Sequence, residues 1–151
     1  MKARINPYAA APNAIKTVMA MENYVKESGL EMPLIELVKM RASQINGCAF
    51  CLNMHSHDAR AAGETEQRLH VLPAWRETTL YTPRERAALA WTEALTLISE
   101  THAPDDVYEE ARAQFNDKEL TDLTLLIGAI NVWNRIAIGF RMTFPAAKAA
   151  G

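Results

Sequence analysis

The sequence lacks a long basic run, a signal-peptide apolar stretch and an apolar run of membrane-spanning length. Lys and Arg number 16 against 18 Asp and Glu, a formal net charge of −2, which leaves no electrostatic footprint for nucleic acid or an anionic membrane surface. Pro12 and Asn13 interrupt the N-terminal segment early. No window approaches the roughly 20 apolar residues that span a bilayer. We expect a cytoplasmic protein that binds neither nucleic acid nor membranes.

Cysteine is also scarce, and the only two cysteines, Cys48 and Cys51, form one C-x-x-C. Where thiols are kept reduced, such a pair is more often catalytic than a structural cross-link, and it indicates redox chemistry or metal binding. The 151 residues are 49% apolar and 23% charged, a composition that excludes disorder as the default. This length favours a single domain over residues 1–151.

Strand-like alternation, internal repeats and low-complexity tracts are absent from the sequence. Residues that typically begin and end helices are frequent in it. Thr82, Pro83 and Glu85 combine an N-cap, a proline at the first helical position and a capping-box glutamate. We therefore predict an all-α domain with about six to seven helices. The predicted helices cover residues 13–28, 33–46, 48–62, 65–72, 83–98, 105–114 and 118–140. The Ala-rich tail after Pro145 is expected to be irregular.

The last predicted helix is apolar on more than one face. One stripe has three- and four-residue spacing, and further apolar residues lie beside it: Leu120, Leu123, Ile127, Ile130 and Asn134, then Leu125, Leu126, Ile136 and Ile138. A helix of this kind lies deep inside a domain or between subunits. We favour a subunit interface as part of the explanation; the central core helix of a monomer is the alternative.

The spacing around the C-x-x-C predicts one reactive stripe. At about 100° per residue, Cys48, Cys51 and His55 share a helix face with Ala59 and Ala62, while Phe50 and His57 point elsewhere.

Cysteines three residues apart in a first helical turn are within disulfide range. The helix N-terminus lowers a thiol pKa toward the reactive thiolate, and His55 can accept the proton from Cys51.

Two other interpretations of the cysteines compete with a redox role. Two Cys and two His could hold zinc, but structural zinc sites usually separate the two pairs by a longer loop, and His57 faces away. The pair could also be simply buried beside a hydrogen-bonded histidine. C-x-x-C with His at i+4 is difficult to obtain from packing alone, so we expect no metal and no cofactor.

Glu36 is a charged residue in an otherwise apolar run, Leu34 to Val38. From the residues alone, the favoured interpretation is a solvated position paired with Lys39 at i+3. The functional alternative is a partly buried carboxylate near the cysteine helix, with a raised pKa suited to proton transfer.

These residues together resemble a known motif. Glu36, the C-x-x-C twelve positions later and His55 resemble the core of the AhpD-like alkylhydroperoxidase branch of the carboxymuconolactone decarboxylase family. The runs at 38–48 (VKMRASQINGC), 53–55 (NMH), 82–89 (TPRERAAL) and 131–135 (NVWNR) match it too. The resemblance is strongest over residues 33–63.

The resemblance implies an all-helical fold that assembles as trimers or hexamers, and a thiol peroxidase activity. Carried over residue by residue, Cys51 would be the peroxidatic thiol, Cys48 the resolving thiol, and Glu36 with His55 a proton relay. An external dithiol, from a lipoylated or thioredoxin-like protein, would restore the pair. The helix terminus alone favours Cys48 as the more acidic thiol; His55 and the family pattern favour Cys51.

One position departs from the family pattern. AhpD proper has a histidine before the second cysteine, where this chain has Phe50, which we interpret as a packing residue on the opposite face. Two alternative functions stay open. One is a disulfide adaptor that passes electrons to a peroxiredoxin-type partner, and the other is a non-redox, decarboxylase-type enzyme, for which a dithiol has no use.

The remaining candidate residues have mainly structural interpretations. Asn131, Asn134 and Arg135 are expected to form buried hydrogen bonds or a subunit ion pair. His70 and His102 are expected at the surface. Several methionines either line an apolar approach to the thiols, which would suit an organic hydroperoxide, or fill the core: Met19, Met21, Met32, Met40 and Met54.

Overall fold

The regular structure is helical throughout residues 1–145, which the computed structural model describes. The nine α-helices are α1 (Pro7–Ala10), α2 (Pro12–Glu27), α3 (Met32–Asn46), α4 (Ala49–Ala61), α5 (Glu66–Val71), α6 (Pro83–Thr96), α7 (Ile98–Thr101), α8 (Asp105–Arg112) and α9 (Asp117–Phe140). A 3-10 helix, Leu72–Glu77, follows α5 directly. The all-α prediction is confirmed.

The sequence predicted six to seven helices, and the difference comes from short elements. α1 and α7 have four residues each, too few for hydrophobic periodicity to reveal them. α2 begins at Pro12, in the first turn where a missing N–H costs nothing, and Asn13 is not its cap. The predicted irregular tail after Pro145 lies outside the described residues.

Helix α3 lies at the centre of the fold and packs against α4, α6 and α9. Its residues 34–40 are all buried, and they include two charged side chains, Glu36 and Lys39. Each buried Leu, Ile or Val contributes about 1.5–3 kcal/mol relative to exposure. The apolar neighbours therefore hold the two charges at a fixed depth inside the protein.

A one-residue corner connects α3 to the cysteines. Gly47 ends α3 in the left-handed conformation at φ 68°, and its N–H donates to the carbonyls of Ser43 and Gln44. The N–H of Cys48 donates to the Ser43 carbonyl at 3.0 Å, and Cys48 is the N-cap of α4. A side chain at Gly47 would be strained at this φ. The corner therefore sets the direction in which α4 and its cysteines leave α3.

Helix α9 packs on α2, α3 and α6. The predicted stripe is buried, with Leu123, Ile130 and Asn134 fully enclosed, whereas Ile138 near the helix end is 45% exposed. Contrary to the sequence expectation, α9 is long and apolar enough to cross a membrane, at a mean hydropathy of 1.4. Core helices of soluble proteins meet the same criterion, so this is weak evidence for a span.

Polar groups join α9 to the end of α3. The Asn46 amide donates to Asn131 Oδ1 at 3.0 Å and to Asn134 Oδ1 at 2.8 Å. Asn134 donates to the Ser43 hydroxyl at 3.0 Å, and Arg135 donates to Asn131. The predicted buried hydrogen bonding is confirmed for Asn134, whereas the hydrogen bonds of Arg135 are exposed. The network holds the corner that precedes Cys48.

Candidate functional site

The cysteine pair forms a disulfide at the N-terminus of α4. Cys48 and Cys51 are bonded, with their Cα atoms 5.3 Å apart, and both side chains are buried. The backbone N–H of Cys51 donates to Cys48 Sγ at 3.3 Å. An amide N–H and a helix N-terminus both favour negative charge on that sulfur when the pair is reduced. The predicted disulfide range is confirmed.

His55 and Glu36 meet between α4 and α3. His55 Nδ1 lies 2.9 Å from Glu36 Oε2, and both residues are only 4% exposed. If the imidazole donates through Nδ1, Nε2 is left as its proton acceptor. Within residues 1–145 no hydrogen bond joins His55 to Cys51 directly. A proton would therefore pass between them through substrate or water.

Glu36 also belongs to a chain of alternating charges. Its carboxylate lies 3.6 Å from the Lys39 ammonium, which is ion-paired with Glu22 of α2. Lys39 is 1% exposed. The pairing with Lys39 was anticipated, but the solvated setting was wrong because residues 34–40 of α3 are all buried.

The predicted raised pKa of Glu36 is also wrong. Burial alone raises the pKa of this carboxyl, but the hydrogen bond with His55 and the charge of Lys39 act in the opposite direction. The net pKa of Glu36 lies below its ordinary value of 4.5. Glu36 is therefore an ionised carboxylate at neutral pH, suited to holding an imidazolium in place rather than to donating protons.

This lowered pKa predicts a pH-dependent stability. A carboxyl whose folded pKa is depressed stabilises the fold above its unfolded pKa and loses this contribution as pH falls through the folded pKa. Glu36→Gln is expected to lower the unfolding free energy by about 2 kcal/mol at neutral pH, the typical value of a charged hydrogen bond. The deficit should shrink below about pH 4.5. Urea denaturation at a series of pH values measures it, and a deficit that is independent of pH would contradict the assignment.

A cavity of about 280 Å³ opens on these groups. Glu36, Cys51 and His55 line it together with Glu22 and Lys39. The rest of its wall consists of seven mostly apolar residues, Tyr8, Met19, Phe50, Met54, Trp133, Ala137 and Met142, and three polar ones, Asn23, Lys26 and Asp58. Cys51, but not Cys48, reaches this space.

Phe50 and the methionines differ from the sequence interpretation in part. Phe50 packs beside the two cysteines and lines the cavity, so its predicted place on the opposite face is wrong; the first turn of α4 lies open to the cavity on that side as well. Among the five candidate methionines, Met19 and Met54 line the cavity, whereas Met40 belongs to the core.

A four-ligand site of two cysteines and two histidines is not formed by the described residues. His57 is exposed and contacts Arg60. A different group, Glu36, His55 and Asp58, places potential ligand atoms within 4.8 Å of one another. The Lys39 ammonium beside Glu36 opposes a cation there. His70 and His102 are exposed, as predicted.

Glu22 and Lys39 are the site residues that sequence reasoning missed. Lys39 carried a usable signal, because a lysine three residues after a glutamate inside an apolar run is difficult to place at a surface. Glu22 gave no sequence signal, since it lies in an ordinary amphipathic helix and reaches the site only through the packing of α2.

An all-helical fold with a C-x-x-C disulfide beside a buried Glu–His pair defines the AhpD-like class of proteins. Residues 12–94 match the model of the carboxymuconolactone decarboxylase family, and the chain belongs to that family. The uncharacterized protein YdfG of Bacillus subtilis is 46% identical over 138 residues, which cover 91% of this chain and 94% of YdfG.

Two solved structures extend the comparison. A protein of unknown function from Agrobacterium tumefaciens, a candidate AhpD antioxidant defence protein, superposes with a TM-score of 0.94 at 53% identity. The match covers 97% of this chain and 100% of that one. An uncharacterized peroxidase-related protein from Silicibacter sp. TM1040 gives a TM-score of 0.78 at 27% identity, over 90% of this chain and 72% of that one. The predicted AhpD-like membership is confirmed.

Proposed function

We propose that the protein is a thiol-dependent peroxidase that reduces alkyl hydroperoxides or hydrogen peroxide through a Cys48/Cys51 dithiol–disulfide cycle. One observation carries the proposal: a disulfide-forming cysteine and a buried Glu36–His55 pair line the same cavity. The antioxidant and peroxidase-related descriptions of the two solved relatives support the same class of chemistry.

The cycle begins with proton transfer from the reduced pair. His55 takes the Cys51 proton, through substrate or water, and the thiolate attacks one oxygen of the hydroperoxide. The O–O bond breaks, the leaving alkoxide receives the proton from His55 and departs as alcohol, and Cys51 becomes a sulfenic acid. Cys48 then attacks this sulfur, water leaves, and the disulfide forms. An external dithiol reduces the disulfide again.

The charge chain prepares His55 for this exchange. The Glu36 carboxylate at Nδ1 orients the ring and stabilises the imidazolium that forms when His55 takes a proton. Lys39, held by Glu22, keeps Glu36 ionised. His55 can therefore alternate between neutral and protonated forms without moving, as a relay requires.

The cavity wall supports an organic hydroperoxide as the preferred substrate. Its volume of about 280 Å³ and its aromatic and methionine side chains suit an apolar body with the peroxide group turned toward Cys51. Hydrogen peroxide would fill little of it.

The choice of Cys51 as the peroxidatic thiol is supported by position. Cys51 lines the cavity together with His55 and Glu36, and Cys48 does not. The helix terminus and the Cys51 amide favour a thiolate on Cys48, which suits a resolving thiol that must attack a sulfenic acid.

Peroxide titration of the reduced, metal-free protein tests the proposal. One equivalent of cumene hydroperoxide is expected to remove two thiols and to form the Cys48–Cys51 disulfide, with cumyl alcohol as product. Thiol counting with a chromogenic disulfide and peptide mapping measure both changes. Cys48→Ser is the control, since it should consume one equivalent and stop at a sulfenic acid that a dimedone probe traps. Two thiols that persist at one equivalent of peroxide would contradict the proposal.

Two alternatives make different predictions in the same assays. A disulfide adaptor would exchange rapidly with a partner protein's dithiol while turning over peroxide negligibly. A decarboxylase-type enzyme would retain full activity on a lactone acid after both cysteines are replaced by serine.

We also propose that the chain acts in the cytoplasm as a homo-oligomer, trimer or hexamer. The exposed apolar side chains of Tyr24 and Ile98 support a subunit contact. Size-exclusion chromatography with light scattering measures the molar mass of the protein in solution. A monomer at micromolar concentration would contradict the proposal.

A further inference from the structure

A second cavity, of about 550 Å³, lies on the other side of the cysteine pair. It is lined by Cys48 and its neighbours Gly47 and Ala49, and Cys51 is not part of its wall. The first cavity has the opposite arrangement, with Cys51 and without Cys48. Phe50, Ala137 and Met142 line both cavities and form the partition between them. Each cysteine of the disulfide therefore lines a different cavity, although both are nearly fully buried.

We propose that the second cavity, the Cys48 cavity, is the binding site of the reducing dithiol, which attacks Cys48 and not Cys51. This inference rests on the proposed redox cycle and adds where electrons enter. The peroxide and the reductant then use different faces of one disulfide.

The chemistry of thiol–disulfide exchange favours this direction of attack. A thiolate displaces one sulfur from the other, so it approaches the attacked sulfur from the side opposite the leaving sulfur. A thiolate in the Cys48 cavity approaches Cys48, whereas Cys51 lines the first cavity. Attack on Cys51 would instead require the reductant to enter the 280 Å³ space assigned to the peroxide.

The leaving Cys51 thiolate has a proton donor nearby in this direction, whereas the helix terminus and the Cys51 amide favour a thiolate on Cys48 and oppose it. The reductant sulfur bonds to Cys48, the S–S bond breaks, and its electron pair remains on Cys51 as a thiolate. Protonated His55, stabilised by Glu36, shares the cavity with this thiolate and can neutralise it. The second thiol of the reductant then displaces Cys48 from the mixed disulfide. The reductant leaves as an oxidised disulfide and the protein pair is fully reduced.

The wall of the Cys48 cavity indicates the chemical class of the reductant. Two arginines, Arg4 and Arg141, line it, and among the residues of 1–145 that line it there is no carboxylate. Arg4 is held in place, since its backbone N–H and its guanidinium donate to the carbonyls of Phe140 and Gly139 at 2.9 and 3.0 Å. The other wall residues include Met1, Ile138, Met142 and Phe144. An apolar wall with a cationic rim suits a dithiol on a short aliphatic chain whose far end is anionic.

Adduct mapping tests the site of attack without using peroxide. The oxidised wild-type protein is mixed at neutral pH with excess 2-mercaptoethanesulfonate, an anionic monothiol, alkylated within the first turnover at the same pH by a larger excess of N-ethylmaleimide, and analysed by tandem mass spectrometry. We expect the probe on Cys48 and the maleimide on Cys51. The reverse distribution, or an equal mixture, would overturn the proposal even if peroxidase activity were established. The expected distribution in a protein without peroxidase activity would leave the Cys48 site intact and remove only the proposed function.

Comparing the rates at which two dithiols of different charge reduce the protein tests the role of Arg4 and Arg141 in the Cys48 cavity. Dihydrolipoate and dihydrolipoamide carry the same dithiol and aliphatic chain but differ in the charge at the far end. Arg141→Glu is expected to slow reduction by dihydrolipoate by roughly tenfold and to leave reduction by dihydrolipoamide nearly unchanged. Oxidation of the reduced variant by cumene hydroperoxide should keep its wild-type rate. Arg112→Glu, a matched charge reversal at an exposed arginine that lines neither cavity, is the control. Equal slowing of both dithiols by Arg141→Glu would contradict the assigned anion preference.

Discussion

Replacement of Cys51 by serine is expected to lower the rate of cumene hydroperoxide turnover by about a thousandfold or more, the usual scale of loss when a covalent nucleophile is removed. A serine hydroxyl in the same position is not ionised by one imidazole, and it does not form the sulfenic acid on which the cycle depends. Peroxide consumption with excess dihydrolipoamide as reductant measures the loss.

Cys48→Ser is the matched comparison, because it changes the same atom three residues away in the same helical turn. It should retain a single fast reaction with peroxide and lose sustained turnover with the dithiol unless the reductant attacks the sulfenic acid directly. A fast first reaction in Cys51→Ser and none in Cys48→Ser would exchange the two roles. Equal turnover by Cys51→Ser and the wild type would remove the enzymatic proposal.

Replacement of Lys39 by methionine is expected to destabilise the protein by about 3–5 kcal/mol, as removal of one member of a buried ion pair generally does. The change keeps the length and the apolar stem of the side chain but leaves Glu22 and Glu36 facing each other without a cation. Glu22 Oε2 already lies buried without a hydrogen-bond partner in residues 1–145, so this carboxylate has no second partner to compensate. Urea denaturation near neutral pH measures the loss.

Two controls separate this effect from a general sensitivity to lysine replacement. Lys16→Met, at an exposed position in α2, should change the unfolding free energy by less than about 0.5 kcal/mol. The double variant Glu22→Gln, Lys39→Met should recover part of the stability, because it removes one of the two uncompensated charges. A loss below about 1 kcal/mol in Lys39→Met would show that the pair is screened by solvent, and the relay would then lack its fixed charge.

These predictions connect stability with function through the same residues. Glu22 of α2 with Lys39 and Glu36 of α3 form a line of alternating charges that ends on His55 of α4 at the cavity. The arrangement costs desolvation energy, which a pair of apolar residues would not. In the proposed cycle its benefit is a carboxylate fixed against His55 Nδ1, so a protein selected for stability alone would have little reason to keep it.

Much of the helical fold could be predicted because its signals are local. The capping box at Thr82 and the end of α3 at Asn46 appear in the structure where the sequence indicated them. The four-residue helices α1 and α7 were missed because they have no periodicity, and α2 begins one residue before its expected cap.

Some features of the site likewise follow from local sequence, and others only from tertiary packing. His55 lies one helical turn from Cys51, so the sequence determined that the thiols and the imidazole share one face of α4, whatever surrounds that helix. The approach of Glu36 to His55, the lowered pKa of Glu36, the Lys39–Glu22 pair and the turn of Phe50 toward the thiols were decided only by tertiary structure. The physical reason is that helix geometry depends on residues three or four apart. Burial and pairing of charges depend on residues that meet only when α2, α3, α4 and α9 pack together.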